Sequence, residues 1–258
     1  MSPPPQSTSP GKGLLAAQPA VGPGGHLLKL GHHARKLARS VYSGSVTSAL
    51  REAIIGGEIA QGTALVERTL AEQLNMSRGP IRNALSILEG EGLVTTLPNG
   101  RMVVAGFGLD DLSDLLAVRY ELESTAIRWA CDSKREVQPV LDMLAEMEGE
   151  GTSTALLVDL DMNFHRAMVE LSGSRFLLQA WLAIAPVVHT VITLGNRTLE
   201  RDDPVSNFHR IIDSHQEIVD PLRAHQPDRA LERLADQFQF TRSMFVPREQ
   251  PHSSRKGS

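Results

Sequence analysis

The sequence predicts a mainly α-helical protein in two parts: a small N-terminal unit of three helices with a short β-hairpin, and a C-terminal antiparallel all-α bundle of about six helices. Three observations predict this fold class. Two apolar stripes at helical spacing flank a tight turn within residues 69–94, and two β-branched runs joined by an Asn-Gly pair follow them. From Asp110 onward the apolar residues recur with a helical period. The 258 residues are enough for two ordinary domains.

The N-terminal unit begins with residues 45–55, which are amphipathic and end at a Gly-Gly pair. Two further helices lie before and after a turn at residues 75–77, because each carries apolar side chains on one face and both faces need a common core. Ser77 suits the N-cap of the second of these helices, where its hydroxyl can accept from a backbone N–H. Pro80 falls in the first turn, where its missing N–H costs nothing. The pattern predicts a helix-turn-helix.

Arg78 and Arg82 lie one helical turn apart, on the face that carries none of the apolar stripe. A guanidinium can fork onto a guanine edge or a phosphate, and a helix N-terminus attracts phosphate. This layout is typical of a recognition helix that enters a DNA groove. The alternative is a surface helix with two solvated arginines.

A predicted hairpin follows, with β-branched runs at residues 93–97 and 101–104 joined through Pro98-Asn99-Gly100. A hairpin directly after a helix-turn-helix is a wing, so the N-terminal unit is predicted to be a winged helix-turn-helix. Gly100 allows the backbone to approach DNA closely, and Arg101 can enter a minor groove or meet a phosphate.

Residues 50–94 resemble, almost without gaps, the winged-helix domain of the GntR family of bacterial transcription regulators. The similarity includes Ile-Gly-Gly-Glu-Ile, Leu-Ala-Glu, Ser-Arg-Gly-Pro-Ile-Arg and Glu-Gly-Leu-Val. One difference is a glycine after the first recognition-helix arginine, where Thr or Gln is common, and the wing turn is about one residue longer than in some relatives. The resemblance implies DNA contacts from Arg68, Ser77, Arg78, Gly79, Arg82, Asn99, Gly100 and Arg101.

The charge of the chain is unevenly distributed. The formal net charge is −4, which is unusual for a DNA-binding protein, yet no acidic residue precedes Glu52. Residues 1–40 are rich in Pro, Gly and Ser and are predicted to be a disordered basic tail, whose segment 29–39 adds phosphate contacts. A tail without a role is the alternative. The single cysteine, Cys131, excludes an internal disulfide framework and is predicted to be a buried thiol.

The predicted organisation is a winged helix at 41–105, a linker at 106–109, a helical domain at 110–246 and a disordered tail at 247–258. The uncharged run at 176–196 is long enough to span a bilayer, but it contains Gln179, Pro186 and His189. We therefore expect no membrane span, but a helix buried on all sides and kinked at Pro186. No secretory signal is recognised, which favours a cytoplasmic protein. The predicted helices of the bundle cover 109–131, 134–149, 153–172, 174–194, 204–223 and 227–245.

A second chemical signal lies in the helical domain. Asp161 and His165 stand at positions i and i+4, so both project from one helix face within reach of one ion. His215 is the next candidate ligand. A helical hairpin that turns near Gln226 places Gln237 opposite His215, and the four side chains could then converge in the bundle.

The pattern Asp114-x4-Arg119-x3-Glu123, then Asp161-x3-His165, then His215, resembles the FCD effector domain of the FadR-type branch of the GntR family, over roughly residues 110–245. In that domain an Asp and three His commonly hold a divalent metal such as zinc or nickel, which helps to bind a small carboxylate. The resemblance implies a metal held by Asp161, His165 and His215, with Gln237 in the fourth position. A neutral amide oxygen is a poorer ligand than imidazole, and a polar pocket without metal is the alternative.

Arg119 resembles an arginine that points into this pocket and would suit a carboxylate effector, although it could equally pair with Glu123. His189 would line the same cavity or be a core histidine. The resemblance implies a bacterial, nucleoid-associated homodimer that reads a pseudo-palindromic operator in double-stranded DNA, with an effector that changes its affinity. Two alternatives remain: a metal-dependent hydrolase centre at Asp161, His165 and His215, or a DNA-binding protein whose helical half only dimerises.

Overall fold

The computed structural model of the protein describes residues 45–149, 154–199 and 204–245, so the predicted tails at 1–40 and 247–258 lie outside the described residues. The described part is mainly helical with one small sheet, which confirms the predicted fold class. The elements are α1 Val46–Ile55, α2 Glu67–Leu74, α3 Arg78–Gly90, β1 Val94–Thr96, β2 Met102–Val104, α4 Leu109–Asp132, α5 Gln138–Met147, α6 Thr154–Glu170, α7 Arg175–Leu199, α8 Pro204–Arg223 and α9 Pro227–Ser243.

The helix-turn-helix is formed by α2 and α3, which are joined by a tight turn. Asn75 ends α2 in the left-handed conformation, with φ of 52°, and its N–H bonds back to the helix. Ser77 occupies the N-cap position of α3 as predicted, but its hydroxyl makes no capping hydrogen bond. The expected role of that hydroxyl is therefore wrong, and it stays on the exposed surface.

The wing is a two-stranded antiparallel hairpin in which Val94 pairs with Val104 and Thr96 pairs with Met102. Gly100 has φ of +78°, a conformation that favours glycine. Next to it, the backbone N–H of Arg101 donates to the side-chain oxygen of Asn99 at 3.1 Å. This local bond fixes the shape of the wing tip.

The two parts of the protein have a common apolar core. Side chains of α1, α2 and α3 pack in one cluster with Leu112 of α4, with Val191 and Leu194 of α7, and with Phe245 after α9. Phe107, in the predicted linker, is buried in the same cluster, and α4 begins at Leu109. The segment between the two parts is therefore anchored in the core.

A buried ion pair also holds the helices of the winged helix together. Arg51 of α1 donates through Nε and Nη2 to the carboxylate of Glu91, at 2.7 and 2.6 Å, and both side chains are buried. The pair ties α1 to the end of α3. Arg51 is thus a structural cation and adds nothing to the basic stretch that precedes it in sequence.

Helix α7 differs most from its prediction. It continues to Leu199 rather than ending near 194. A side chain at Gly195 would collide with Met244 and Phe245, at 2.9 and 3.1 Å from an added Cβ. The glycine serves close packing rather than helix termination. Pro186 lies inside the continuous helix.

The expectation that α7 is buried on all sides is wrong. Residues Arg175–Arg197 are long and apolar enough for a membrane span by length and composition, and 39% of the most apolar window is buried in the protein. The C-terminal half packs inside, while the N-terminal half exposes one face on which Phe176 is 71% exposed. Apolar residues of α7 therefore lie both in the core and on the surface.

Candidate nucleic-acid interface and candidate metal centre

The side chains expected to contact DNA are all on the outer surface of the winged helix. Ile81, Ala84, Leu85 and Leu88 of α3 face the core, and the opposite face of the helix is exposed. Gly79 has open space around it, since an added Cβ would meet no atom within 4 Å. The exposed set is Arg68, Ser77, Arg78, Gly79, Arg82, Asn99, Gly100 and Arg101.

Two of these arginines have acidic neighbours. Arg82 is held by the carboxylate of Glu67, the first residue of α2, through hydrogen bonds of 3.0–3.2 Å. Arg68 lies more loosely beside Glu72, with a nitrogen–oxygen distance of 3.8 Å. The pairing of Arg82 was missed in the sequence, because residues 15 apart in a chain meet only when the turn between α2 and α3 is known.

A buried polar centre lies between α6, α8 and α9. Asp161 and His165 come from consecutive turns of α6, and His215 comes from α8; one ligand atom from each lies within 4.8 Å of the other two. The Nε2 atom of His215 is 3.0 Å from Oδ1 of Asp161, and Nε2 of His165 is 4.0 Å from the same oxygen. Ligands of one divalent ion stand at separations of this order.

Both imidazoles are oriented by a second hydrogen bond. Nδ1 of His165 is 2.7 Å from Oε2 of Glu123, and Nδ1 of His215 is 2.7 Å from the backbone oxygen of Ile211. Both partners only accept, so each Nδ1 carries the hydrogen and each Nε2 presents a lone pair to Asp161. A carboxylate or carbonyl behind a histidine is the usual support for a metal ligand.

This arrangement leaves buried polar atoms without partners. Lone pairs of two imidazoles face a carboxylate, and nothing in the described residues donates to Nε2 of His165 or to Oδ2 of Asp161. Burying such atoms unsatisfied is costly, and a divalent cation would satisfy them together. The donor set therefore fits a metal ion. The unpartnered atoms that face this centre are Arg119 Nη2, Asp161 Oδ2, His165 Nε2, Asn196 Oδ1 and Gln237 Oε1.

The protonation states also suit a metal. Burial alone would raise the pKa of Glu123, but Arg119 and His165 together lower it to about 2. Burial opposes ionisation of Asp161 as well, yet the adjoining His215 ring and the positive charge of Arg119 hold its pKa below the ordinary value. Burial, followed by the charge of Arg119, lowers the pKa of His165. At neutral pH the carboxylates are ionised and His165 is neutral.

Gln237 reaches the centre as the helical-hairpin argument predicted. Its amide nitrogen is 3.0 Å from Nε2 of His215, and its amide oxygen is unpartnered. A half-turn of the amide group would exchange the two atoms and point the oxygen at the centre. Gln237 is thus within reach of an ion as a neutral oxygen ligand.

Arg119 pairs with Glu123 and also lines the cavity, so the two placements that the sequence left open are compatible. Its Nε donates to Oε1 of Glu123 at 2.8 Å, while Nη2 is unpartnered and the residue lines the cavity. Trp181 donates to the same carboxylate oxygen at 3.0 Å. Glu123 therefore organises the centre from behind, a role that the sequence did not reveal.

His189 does not belong to this site. Its imidazole is 42% exposed and is 2.9 Å from the carboxylate of Asp159, away from the cavity-lining residues. The expectation that it lines the cavity is wrong, because its position on α7 faces outward. Asn196, one helical turn after Ile192 on the same face of α7, lines the cavity instead and was missed.

The cavity itself is small, about 30 Å³, which is enough for an ion or a single water. A larger groove of about 590 Å³ lies outside it between α8 and α9, lined by residues that include Arg210 and Arg233. Ser214, Gln237 and Phe240 line both spaces and therefore separate them.

A winged helix-turn-helix with an exposed arginine-bearing helix, joined to a helical domain, defines a DNA-binding transcription regulator. The chain belongs to the GntR family: residues 43–104 match the model of the bacterial regulatory proteins of the gntR family, and residues 114–239 match the FCD domain. Proteins with these domains are transcription regulators rather than enzymes, which sets aside the hydrolase alternative.

Relatives of known role are similar along most of the chain. The gluconate operon transcriptional repressor of Bacillus licheniformis is 27% identical over 206 residues, covering 78% of this chain and 84% of the repressor. The repressor NanR of Enterobacter sp. (strain 638) is 28% identical over 218 residues, covering 76% and 82%. The Nta operon regulator of Aminobacter aminovorans is 35% identical over 127 residues, covering 48% and 60%.

Solved structures agree with the fold. The Listeria monocytogenes regulator Lar, described as controlling the agr system, gives a TM-score of 0.60 at 18% identity, covering 85% of this chain and 97% of its own. McbR/YncC of Escherichia coli gives 0.57 at 19% identity, covering 85% and 98%.

Proposed function

We propose that this protein is a sequence-specific DNA-binding regulator whose operator affinity responds to a small carboxylate metabolite bound, with a divalent metal, in the helical domain. The observation that carries the proposal is the group of buried, unpartnered polar atoms around one cavity. Such atoms are rare in folded proteins unless a ligand completes them.

Asp161, His165 and His215 would hold the metal, with Gln237 as a fourth, neutral ligand. A zinc- or nickel-like ion suits a set of imidazole nitrogens and carboxylate oxygens. When bound, the metal would supply a positive charge for a carboxylate. Glu123 fixes the His165 ring through the 2.7 Å bond to Nδ1, which keeps Nε2 directed at the centre.

Arg119 is the protein group best placed for the effector. Its Nη2 is buried without a partner, and a guanidinium already fixed by Glu123 is preorganised for a carboxylate. The 30 Å³ cavity is too small for a metabolite as well as a metal. Effector binding would therefore displace Gln237 and Phe240 and join the cavity to the outer groove.

Displacement in the cavity would shift the DNA-binding domain, because two segments line the cavity and also pack in the core of the winged helix. On α7, Asn196 lines the cavity, while Leu194 packs in the winged-helix core and Arg197 bonds to Glu52 of α1. After α9, Met244 lines the cavity and Phe245 is buried in the winged-helix core. A shift of either element changes how α1 is held, which is the coupling that the proposal requires.

The regulator would act as a cytoplasmic, nucleoid-associated homodimer on a pseudo-palindromic operator, with the winged helix at 41–105, the linker at 106–109 and the FCD-like domain at 110–246. Val118, Trp129 and Phe176 are large apolar side chains that are 49%, 47% and 71% exposed on α4 and α7. Exposed apolar residues of this size favour a protein–protein contact. The dimer would form through these exposed faces of α4 and α7.

The DNA-binding half is tested with Arg78→Ala and Arg223→Ala. Arg78 is exposed at the start of α3, whereas Arg223 is exposed at the end of α8, so the two variants lose the same charge at different places. Fluorescence anisotropy with a duplex selected from a random pool by the unaltered protein measures the effect. We expect about a tenfold or larger loss for Arg78→Ala and little change for Arg223→Ala. Equal affinities in the two variants would contradict the assignment of α3.

The metal is tested by elemental analysis of the purified protein and by thermal melting with zinc, nickel and citrate. We expect about one equivalent of metal and a melting temperature that rises with metal, both lost in Asp161→Ala. His189→Ala is the matched control, because that histidine lies outside the cavity. A protein that takes up no metal and is not stabilised by a carboxylate would instead support a helical domain that only dimerises.

A further inference from the structure

The arginine in the middle of the recognition helix has a fixed partner on the preceding helix. Arg82 Nε donates to the two carboxylate oxygens of Glu67 at 3.0 and 3.2 Å, and Arg82 Nη2 donates to Oε2 at 3.0 Å. The side chains are 71% and 35% exposed, so the pair stands on the outside of the helix-turn-helix.

Stability does not explain this pair. Exposed ion pairs contribute little to the free energy of unfolding. The buried pair of Arg51 and Glu91 already ties α3 to the rest of the domain. A carboxylate on a surface that meets DNA also repels phosphates, which is a cost to affinity. The pair is therefore better explained by its effect on how Arg82 contacts DNA than by stability.

We infer that Glu67 is a specificity-determining residue that holds the Arg82 guanidinium in one orientation for reading a base edge. The inference rests on the proposed binding of DNA by α3. Glu67 occupies the side of the guanidinium formed by Nε and Nη2. The N–H groups of Nη1 and the second N–H of Nη2 remain, and this outer edge can fork onto O6 and N7 of guanine.

Holding the guanidinium matters because a free arginine side chain can bind either a base edge or a neighbouring phosphate. The contact with phosphate carries no sequence information. Ordering that side chain on a base also costs conformational entropy, which a preformed pair reduces. Glu67 therefore lowers the general affinity for DNA and raises the discrimination between sequences.

The charges around Glu67 maintain this arrangement. The hydrogen bond from Arg82 lowers the pKa of Glu67, and the charges of Arg82 and Arg78 act in the same direction. The carboxylate thus stays ionised at neutral pH and continues to accept from Arg82.

The test compares Glu67→Gln with Glu89→Gln in the full chain. Glu89 lies on α3 and accepts a hydrogen bond from Thr96 that an amide oxygen can also accept, whereas Arg82 donates to Glu67. Affinities are measured at several salt concentrations for a duplex selected from a random pool by the unaltered protein and for a scrambled duplex of equal composition. Both variants lose one negative charge of the helix-turn-helix, so both should bind the scrambled duplex more tightly.

Only Glu67→Gln should lower the ratio of the two affinities, by about tenfold, which is in the range of one bidentate base contact. In an Arg82→Ala background the same substitution should leave the ratio unchanged, since the group that Glu67 holds is absent. A melting temperature close to that of the unaltered protein is expected for Glu67→Gln, because the pair is exposed.

An unchanged ratio in Glu67→Gln, or an equal fall in Glu89→Gln, would overturn the role of Glu67 while leaving DNA binding by α3 intact. A fall of the same size in the Arg82→Ala background would show that Glu67 acts without Arg82 and would also overturn it. If the unaltered protein selects no duplex and does not discriminate, the proposed function itself fails, and this inference with it.

Discussion

Two arginine–glutamate pairs of the same chemistry stand in opposite surroundings. Arg82 and Glu67 meet on the surface of the winged helix, with side chains 71% and 35% exposed, whereas Arg119 and Glu123 meet inside the helical domain at 2% and 0%. Water screens the first pair, so removing one member costs little free energy of unfolding. The second pair is desolvated, so removing one member leaves an uncompensated buried charge.

The difference explains what each region can do. The surface pair leaves the outer edge of the Arg82 guanidinium open to a further partner, which suits a site that must bind and release. The buried pair cannot rearrange, and it supports His165 and Trp181 as well, because Glu123 accepts from both. A fixed scaffold of this kind keeps a metal or an anion in one position.

The sharpest contrast should come from Glu123→Ala. It removes the acceptor of three buried donors and leaves Arg119 unpaired, which we expect to lower the free energy of unfolding by about 3–5 kcal/mol. Urea denaturation measures the loss, and metal uptake should fall with it. Glu67→Ala is the matched control on the surface and should leave the urea midpoint nearly unchanged. Similar losses in the two variants would remove the distinction between the pairs.

A smaller effect is expected from pH in the metal-free protein. The pKa of Glu123 is lowered to about 2 from 4.5, so its contribution to stability is complete above about pH 4.5 and is lost as the pH falls towards 2. The pKa of buried His165 is also lowered from 6.5, so the unfolded chain takes up its proton first and stability declines below that pH. Urea midpoints recorded from pH 7 to pH 3 should fall continuously. A midpoint that rises on acidification would contradict the arrangement of charges around His165.

The smallest effect is expected from Gln237→His, which should strengthen metal binding by about tenfold because imidazole is the better ligand for zinc and nickel. Competition with a coloured chelator measures the affinity. Gln179→His places a histidine on the exposed face of α7 and is the control. Equal affinities for Gln237→His and the unaltered protein would show that residue 237 stays outside the coordination sphere.

The sequence was informative wherever the signal is local. Apolar spacing and turn chemistry predicted the helix-turn-helix, the wing and most of the bundle, since these depend on residues a few positions apart. The hairpin geometry of α8 and α9 even placed Gln237 beside His215, which the 3.0 Å contact reproduces. The end of α7 was predicted wrongly, because Gly195 allows close packing against Met244 and Phe245 and does not end the helix.

By itself the sequence determined which residue types are available: arginines on the recognition helix, and an aspartate and histidines at ligand spacing in the bundle. Only the tertiary structure decided their partners. It joined Glu67 to Arg82, placed Glu123 behind His165, turned His189 outward and brought Asn196 into the cavity. Spacing along one helix fixes which side chains project together, but packing between helices fixes what they meet and how far they are from water.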